Sequence, residues 1–91
     1  MNDEKVTIKD IGWAVKQMHG GSRVRRAGWN GKGMWLKLIH PGDYTVYGSV
    51  INDTHVESMC PWVGMRTATA SFVPWLCSQT DLLATDWEIA D

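Results

Sequence analysis

Only one stretch of this chain has the period and the end signals of a sizeable helix, and that restricts the folds open to it. From Ile8 to His19 the apolar residues Ile8, Ile11, Val15 and Met18 recur at helical spacing, with Trp13 and Ala14 beside them. Thr7 followed by Asp10 reads as a capping box, and Gly20-Gly21 supplies the stop. A lone helix of this length is unstable in water, so its apolar stripe must cover a sheet.

The remaining segments supply strands. Ser22–Ala27 (SRVRRA) reads as a short strand with basic side chains. It runs into Gly28-Trp29-Asn30-Gly31-Lys32-Gly33, whose glycines mark a loop with positive-φ positions or close backbone approach. Met34–His40 alternates as a strand, Pro41-Gly42-Asp43 is a turn, Tyr44–Ile51 is β-rich, and Asn52-Asp53-Thr54 is a further turn. Pro61–Ala70 and Ser71–Leu76 form the arms of a hairpin, with Pro74 confining the second arm to an edge or end. Ser78-Gln79-Thr80-Asp81 repeats the capping-box pattern and introduces a short helix, Thr80–Ala84, before a last strand at Trp87–Ala90. The expected architecture is α+β: an antiparallel sheet with one main N-terminal helix packed on it and a short C-terminal helix, in a single domain over residues 1–91.

A chain of 91 residues buries only about 60–65% of its unfolded surface, so a lone copy is marginal. Disulfides, a metal or oligomerisation are the usual remedies. Met1–Asp10 is polar and unlike a signal peptide, and no apolar run approaches the roughly 20 residues of a membrane span. A reducing cytoplasm, free thiols at Cys60 and Cys77, and an oligomer are therefore expected. The five candidate ligands His19, His40, His55, Cys60 and Cys77 have no metal-site spacing, so no metal site is expected. Both cysteines read as small hydrophobes rather than nucleophiles. Asp81, Asp86 and Glu88 include a possible acid/base pair, with capping as the simpler role.

Net charge is −1, which argues against a duplex-binding protein. The six tryptophans are the unusual feature. Trp13, Trp35 and Trp87 are assigned to the core. The others suit interfaces or stacking pockets, because an indole N–H needs a partner when buried. Arg23, Arg25 and Arg26 precede the loop that carries Trp29 and Asn30, while Trp75 leads directly to Ser78, Gln79 and Asp81. Aromatic faces stack on bases at about 1–3 kcal/mol each, arginine forks hold phosphates, and Asn, Gln and Asp read hydroxyls and base edges. A solvated strand face for the arginines and a turn role for Asn30 are the plainer alternatives. GWNGKG fits neither a Walker loop nor a dinucleotide fingerprint.

Two long segments carry more information than any short motif. RRAGWNGKGMWL (Arg25–Leu36) and PWVGMRTATASFVPWLCSQTDLLATDWEI (Pro61–Ile89) resemble the Thoeris anti-defence family, type two, which consists of small phage-encoded proteins. His40–Met59 carries no signature of that family. The resemblance implies a sponge that binds glycocyclic ADP-ribose, the signal that TIR-domain proteins make from NAD, without cleaving it. Some members also take cyclic dinucleotides at separate sites. It further implies a homotetramer with ligand sites between protomers, located in the cytoplasm of the bacterial host, with no cofactor, membrane or nucleic-acid polymer as partner. By motif position and chemistry, Trp29 and Trp75 stack on the adenine or wall the pocket. Ser78, Asn30, Gln79, Thr80 and Asp81 line it or hydrogen-bond ribose and base edges, and Arg25 or Arg26 meets the pyrophosphate. An enzyme that degrades the same signal, a single-stranded nucleic-acid binder and a structural protein are the rival readings.

Overall fold

A computed structural model describes residues 8–29, 33–40 and 60–90. The main helix, α1, runs from Ile11 to His19. It starts three residues later than its periodicity suggests, because Asp10 itself is the N-cap, its carboxylate accepting from the Trp13 N–H at 2.9 Å. Thr7 lies outside the described residues. The buried stripe is Ala14 and Met18 with Ile11 packed beside them, whereas Ile8 precedes the helix and Val15 stands at its exposed rim.

Among the described residues, five strands form one sheet in the order β4-β3-β2-β1-β5. They are β1 (Val24–Arg26), β2 (Trp35–Ile39), β3 (Trp62–Arg66), β4 (Phe72–Pro74) and β5 (Trp87–Ile89). All four pairings are antiparallel, with Val24 opposite both Leu36 and Ile89, Leu36 opposite Met65, and Met65 opposite Val73. Because side chains alternate along a strand, this register gathers Val24, Leu36, Leu38 and Trp87 on the face that α1 covers, where they form the core with Ala14 and Met18. The β3–β4 hairpin lies where the sequence places it, and Pro74 is on the edge strand. Helix α2 is a single turn, Gln79–Leu82, so the short C-terminal helix starts and ends earlier than Thr80–Ala84. The Ser78 hydroxyl caps it, accepting from the Asp81 N–H at 3.0 Å.

Val24 is the one apolar side chain of β1, and seating it in the core shortens the expected strand Ser22–Ala27 to Val24–Arg26. Ala27–Trp29 then turns as a 3-10 helix. Asn30, the strand expected at Tyr44–Ile51 and its flanking turns lie outside the described residues. Among the six tryptophans, Trp87 is fully buried at 1% exposure, while Trp13 and Trp35 are half-buried, so only one of the three assigned to the core is enclosed by it. Trp35 alternates away from Leu36 and carries the Arg23 guanidinium 5.0 Å from its ring centre. Cys60 and Cys77 are free and exposed rather than packed as hydrophobes. Among the described residues no helix is long and apolar enough to cross a membrane.

Candidate functional site

The alternation that buries Val24 sends Arg25 and Arg26 to opposite faces of β1. Arg25 pairs across the strands with Glu88, Nε donating to the carboxylate at 2.8 Å, and both side chains are about two-fifths exposed. Arg26 faces the helix side beside Trp87. Its Nε donates to Asp86 Oδ1 at 2.7 Å and its Nη1 to Asp81 Oδ1 at 2.8 Å, so one guanidinium joins two carboxylates from the end of the chain. The Arg26 and Asp81 side chains are only 17% and 14% exposed, and Asp86 is 35% exposed. Charge-assisted bonds of this length are the strong kind. Bonding to Asp86 first, then to Asp81, raises the Arg26 pKa against a smaller opposing effect of desolvation. Bonding to Arg26 holds the Asp86 carboxyl below its usual range, with the Gly28 N–H adding to the effect.

The turn after β1 is tied to Asp86 twice. The Ala27 N–H donates to the Asp86 main-chain oxygen at 3.0 Å, and the Gly28 N–H donates to Asp86 Oδ2 at 2.9 Å. A Cβ on Gly28 would lie 3.2 Å from that same carboxylate oxygen, which is why the close approach favours glycine. Held this way, the turn delivers Trp29 into the cluster. Its Nε1–H donates to Asp81 Oδ1 at 3.3 Å, and its ring meets Trp87 edge to face, with centres 5.4 Å apart at 76°. Trp75 reaches the same ring from the far side of the sheet, at 6.0 Å and 86°. Such aromatic pairs add about 0.5–1.5 kcal/mol each beyond their burial. Trp75 arrives by extending the hairpin, its N–H donating to the Val63 oxygen at 2.9 Å.

Trp29, Trp75, Arg26 and Asp81 are therefore brought together from three separate parts of the chain. Ser78, Gln79 and Thr80 are exposed on α2, with Ser78 engaged as its cap. Arg25 is on the other face, and Asn30 is outside the described residues. The sequence offered Asp86 only as a member of an acid/base or capping set and Trp87 only as a core residue, not as ligand-binding residues. Both lie in an open groove of about 570 Å³, lined by Ile8, Lys9, Ala27, Thr85, Asp86, Trp87 and Glu88. None of the residues expected to bind ligand is among that lining, although the groove shares Trp87 and Asp86 with the cluster. Among the described residues the buried Trp87 Nε1–H finds no hydrogen-bond partner, an arrangement that ordinarily costs about 1–3 kcal/mol. Only the pairing of β1 with β5 could have disclosed the bond from Arg26 to Asp86, since the two stand 60 positions apart. Nearby, local desolvation followed by the Asp81 charge pushes the Cys77 thiol up.

A family model described as a Thoeris anti-defense 2-like domain matches residues 9–90. The protein named Thoeris anti-defense 2 from Bacillus phage SP01 is 34% identical over 88 residues, an alignment that covers 91% of this chain and 96% of the relative.

Proposed function

The chain belongs to the Thoeris anti-defense 2-like family, and we propose that it captures a nucleotide immune signal, glycocyclic ADP-ribose in the first instance, and holds it uncleaved so that the effector stays inactive. In this reading it is phage-encoded and works in the cytoplasm of the bacterial host. The observation that carries the proposal is the convergence of Trp29, Trp75 and Trp87 next to an open groove that bears both charge signs. Indole faces take an adenine by stacking. Asp81 and Asp86 offer carboxylate acceptors to hydroxyls. The pyrophosphate falls to Arg25 rather than Arg26. Arg26 is clamped by two carboxylates, whereas the Arg25–Glu88 pair is half-exposed, of a kind worth little, and so readily exchanged for phosphate oxygens. Arg25 stands on the face of β1 opposite Trp87, and Glu88 lines the groove at the β5 edge, so the pyrophosphate reaches Arg25 around that edge rather than beside the indoles.

The affinity required is within reach. Outcompeting an effector calls for nanomolar binding, about −12 kcal/mol. A ligand of about 35 heavy atoms at roughly −0.3 kcal/mol per atom gives about −11 kcal/mol. We further propose a homo-oligomer, a tetramer, with ligand held between copies. Its support is the segment from Phe72 to Leu83, which exposes Phe72, Val73, Leu76, Leu82 and Leu83 beside the edge strand.

The test loads the protein with glycocyclic ADP-ribose, removes free ligand, denatures by heat and identifies what is released. Release of the intact cyclic molecule supports capture. Release of an opened product makes the protein an enzyme and overturns the proposal. Parallel samples with cyclic dinucleotides and with single-stranded oligonucleotides at several salt concentrations separate the remaining signals from a polymer-binding role.

A further inference from the structure

Arg26, Asp81, Asp86 and Trp29 form a relay with a direction. Asp86 is fixed first, because its backbone is part of the β5 end of the sheet and its carboxylate takes the Gly28 N–H. Its Oδ1 receives Arg26 Nε at 2.7 Å and its Oδ2 faces Nη2 at 3.4 Å, which sets the plane of the guanidinium. That plane aims Nη1 at Asp81 Oδ1, 2.8 Å away, and the same oxygen accepts the Trp29 indole N–H. Asp81 belongs to α2, a single turn held by its Ser78 cap and too short to fix a side chain unaided.

We infer that Asp86 is the positioning residue of this site: through Arg26 and Asp81 it sets the Trp29 ring against Trp87 before any ligand arrives. The inference rests on the proposed capture function only for its effect on affinity. Pre-setting a stacking face removes ordering cost from the binding step, so Asp86 tightens binding through Trp29.

The test uses the full chain and two variants, Asp86→Asn and Arg26→Lys. Asp86→Asn keeps the shape and removes the charge that orients the guanidinium. Arg26→Lys leaves the Gly28 N–H bond to Asp86 intact but removes the fork, so it distinguishes the relay from mere support of the turn. In ligand-free protein the Trp29 indole Nε1–H resonance, assigned with Trp29→Phe, should move and broaden in both variants, while the main-chain amide spectrum remains that of the folded parent. Affinity for glycocyclic ADP-ribose should then fall about tenfold in each. If the Trp29 indole resonance keeps its parent position in Arg26→Lys, the relay is wrong, even if Asp86→Asn does not fold. A moved resonance in a protein whose parent form binds no nucleotide upholds the relay and overturns the capture function instead. A moved resonance with undiminished affinity overturns the positioning role.

Discussion

At the β5 edge of the sheet, Trp87 is enclosed by α1, Trp29 and Trp75, and two carboxylates clamp the neighbouring arginine. At the β4 edge the arrangement is reversed. Phe72 and Val73 stay exposed on opposite faces of the edge strand, and Leu76 is 89% exposed. The rings of Trp35 and Trp62 lean on Phe72 at 5.9 and 6.1 Å, tilted rather than enclosed. One edge is completed within the chain by long-range side-chain bonds, while the other presents apolar surface that a second copy can cover. A chain this small has a single core, and placing it at one end leaves apolar surface at the other, where the proposed assembly would bury it.

The largest expected effect comes from attacking the closed edge. Trp87→Ala removes the most enclosed large side chain and should cost about 3–5 kcal/mol, read as a urea or thermal midpoint. The same truncation at Phe72, which is 46% exposed, should cost about 1 kcal/mol or less of protomer stability. Equal losses at the two positions would erase the contrast.

Next in size is the charge clamp. Asp86→Asn should lose about 1–2 kcal/mol at neutral pH, because the bond to Arg26 is charged but the carboxylate is partly wet. The effect has a defined pH dependence. The folded-state pKa of Asp86 lies below its unfolded value, so its contribution is fully present above about pH 4 and fades as pH falls through the depressed value. Parent and variant melting curves should therefore converge on acidification. A difference that persists undiminished at the most acid pH would mean that the carboxylate's charge is not what stabilises the fold.

The smallest effect on the protomer belongs to the open edge. Leu76→Ser should change protomer stability by no more than about 0.5 kcal/mol. It should nonetheless shift mass towards smaller species in analytical ultracentrifugation. An unchanged distribution would show that assembly uses another surface.

The same contrast explains what was legible in the sequence. Helix α1, the hairpin and the Ser78 cap announce themselves through local period, Pro74 and the Ser-x-x-Asp spacing, all within a few residues of one another. Trp13 packs against the core from α1, but the core assignment of Trp35 exceeded what the sheet encloses, because aromatic character does not say which face a strand residue takes. Seating Val24 in the core necessarily turns Arg26 inward and Arg25 outward, a consequence of alternation that hydropathy conceals by marking both as surface residues. The role of Asp86 could not be identified from its surroundings in the chain, since its partners Arg26 and Gly28 reach it only through the pairing of the first strand with the last.

Capture by stacking indoles is tested most directly by titrating glycocyclic ADP-ribose into the folded parent and into Trp29→Ala in a calorimeter. The account predicts nanomolar binding by the parent, and binding about tenfold weaker or more by a variant that is still folded. A well-folded parent that gives no heat with this ligand or with cyclic dinucleotides, or a Trp29→Ala variant that binds as tightly as the parent, contradicts it.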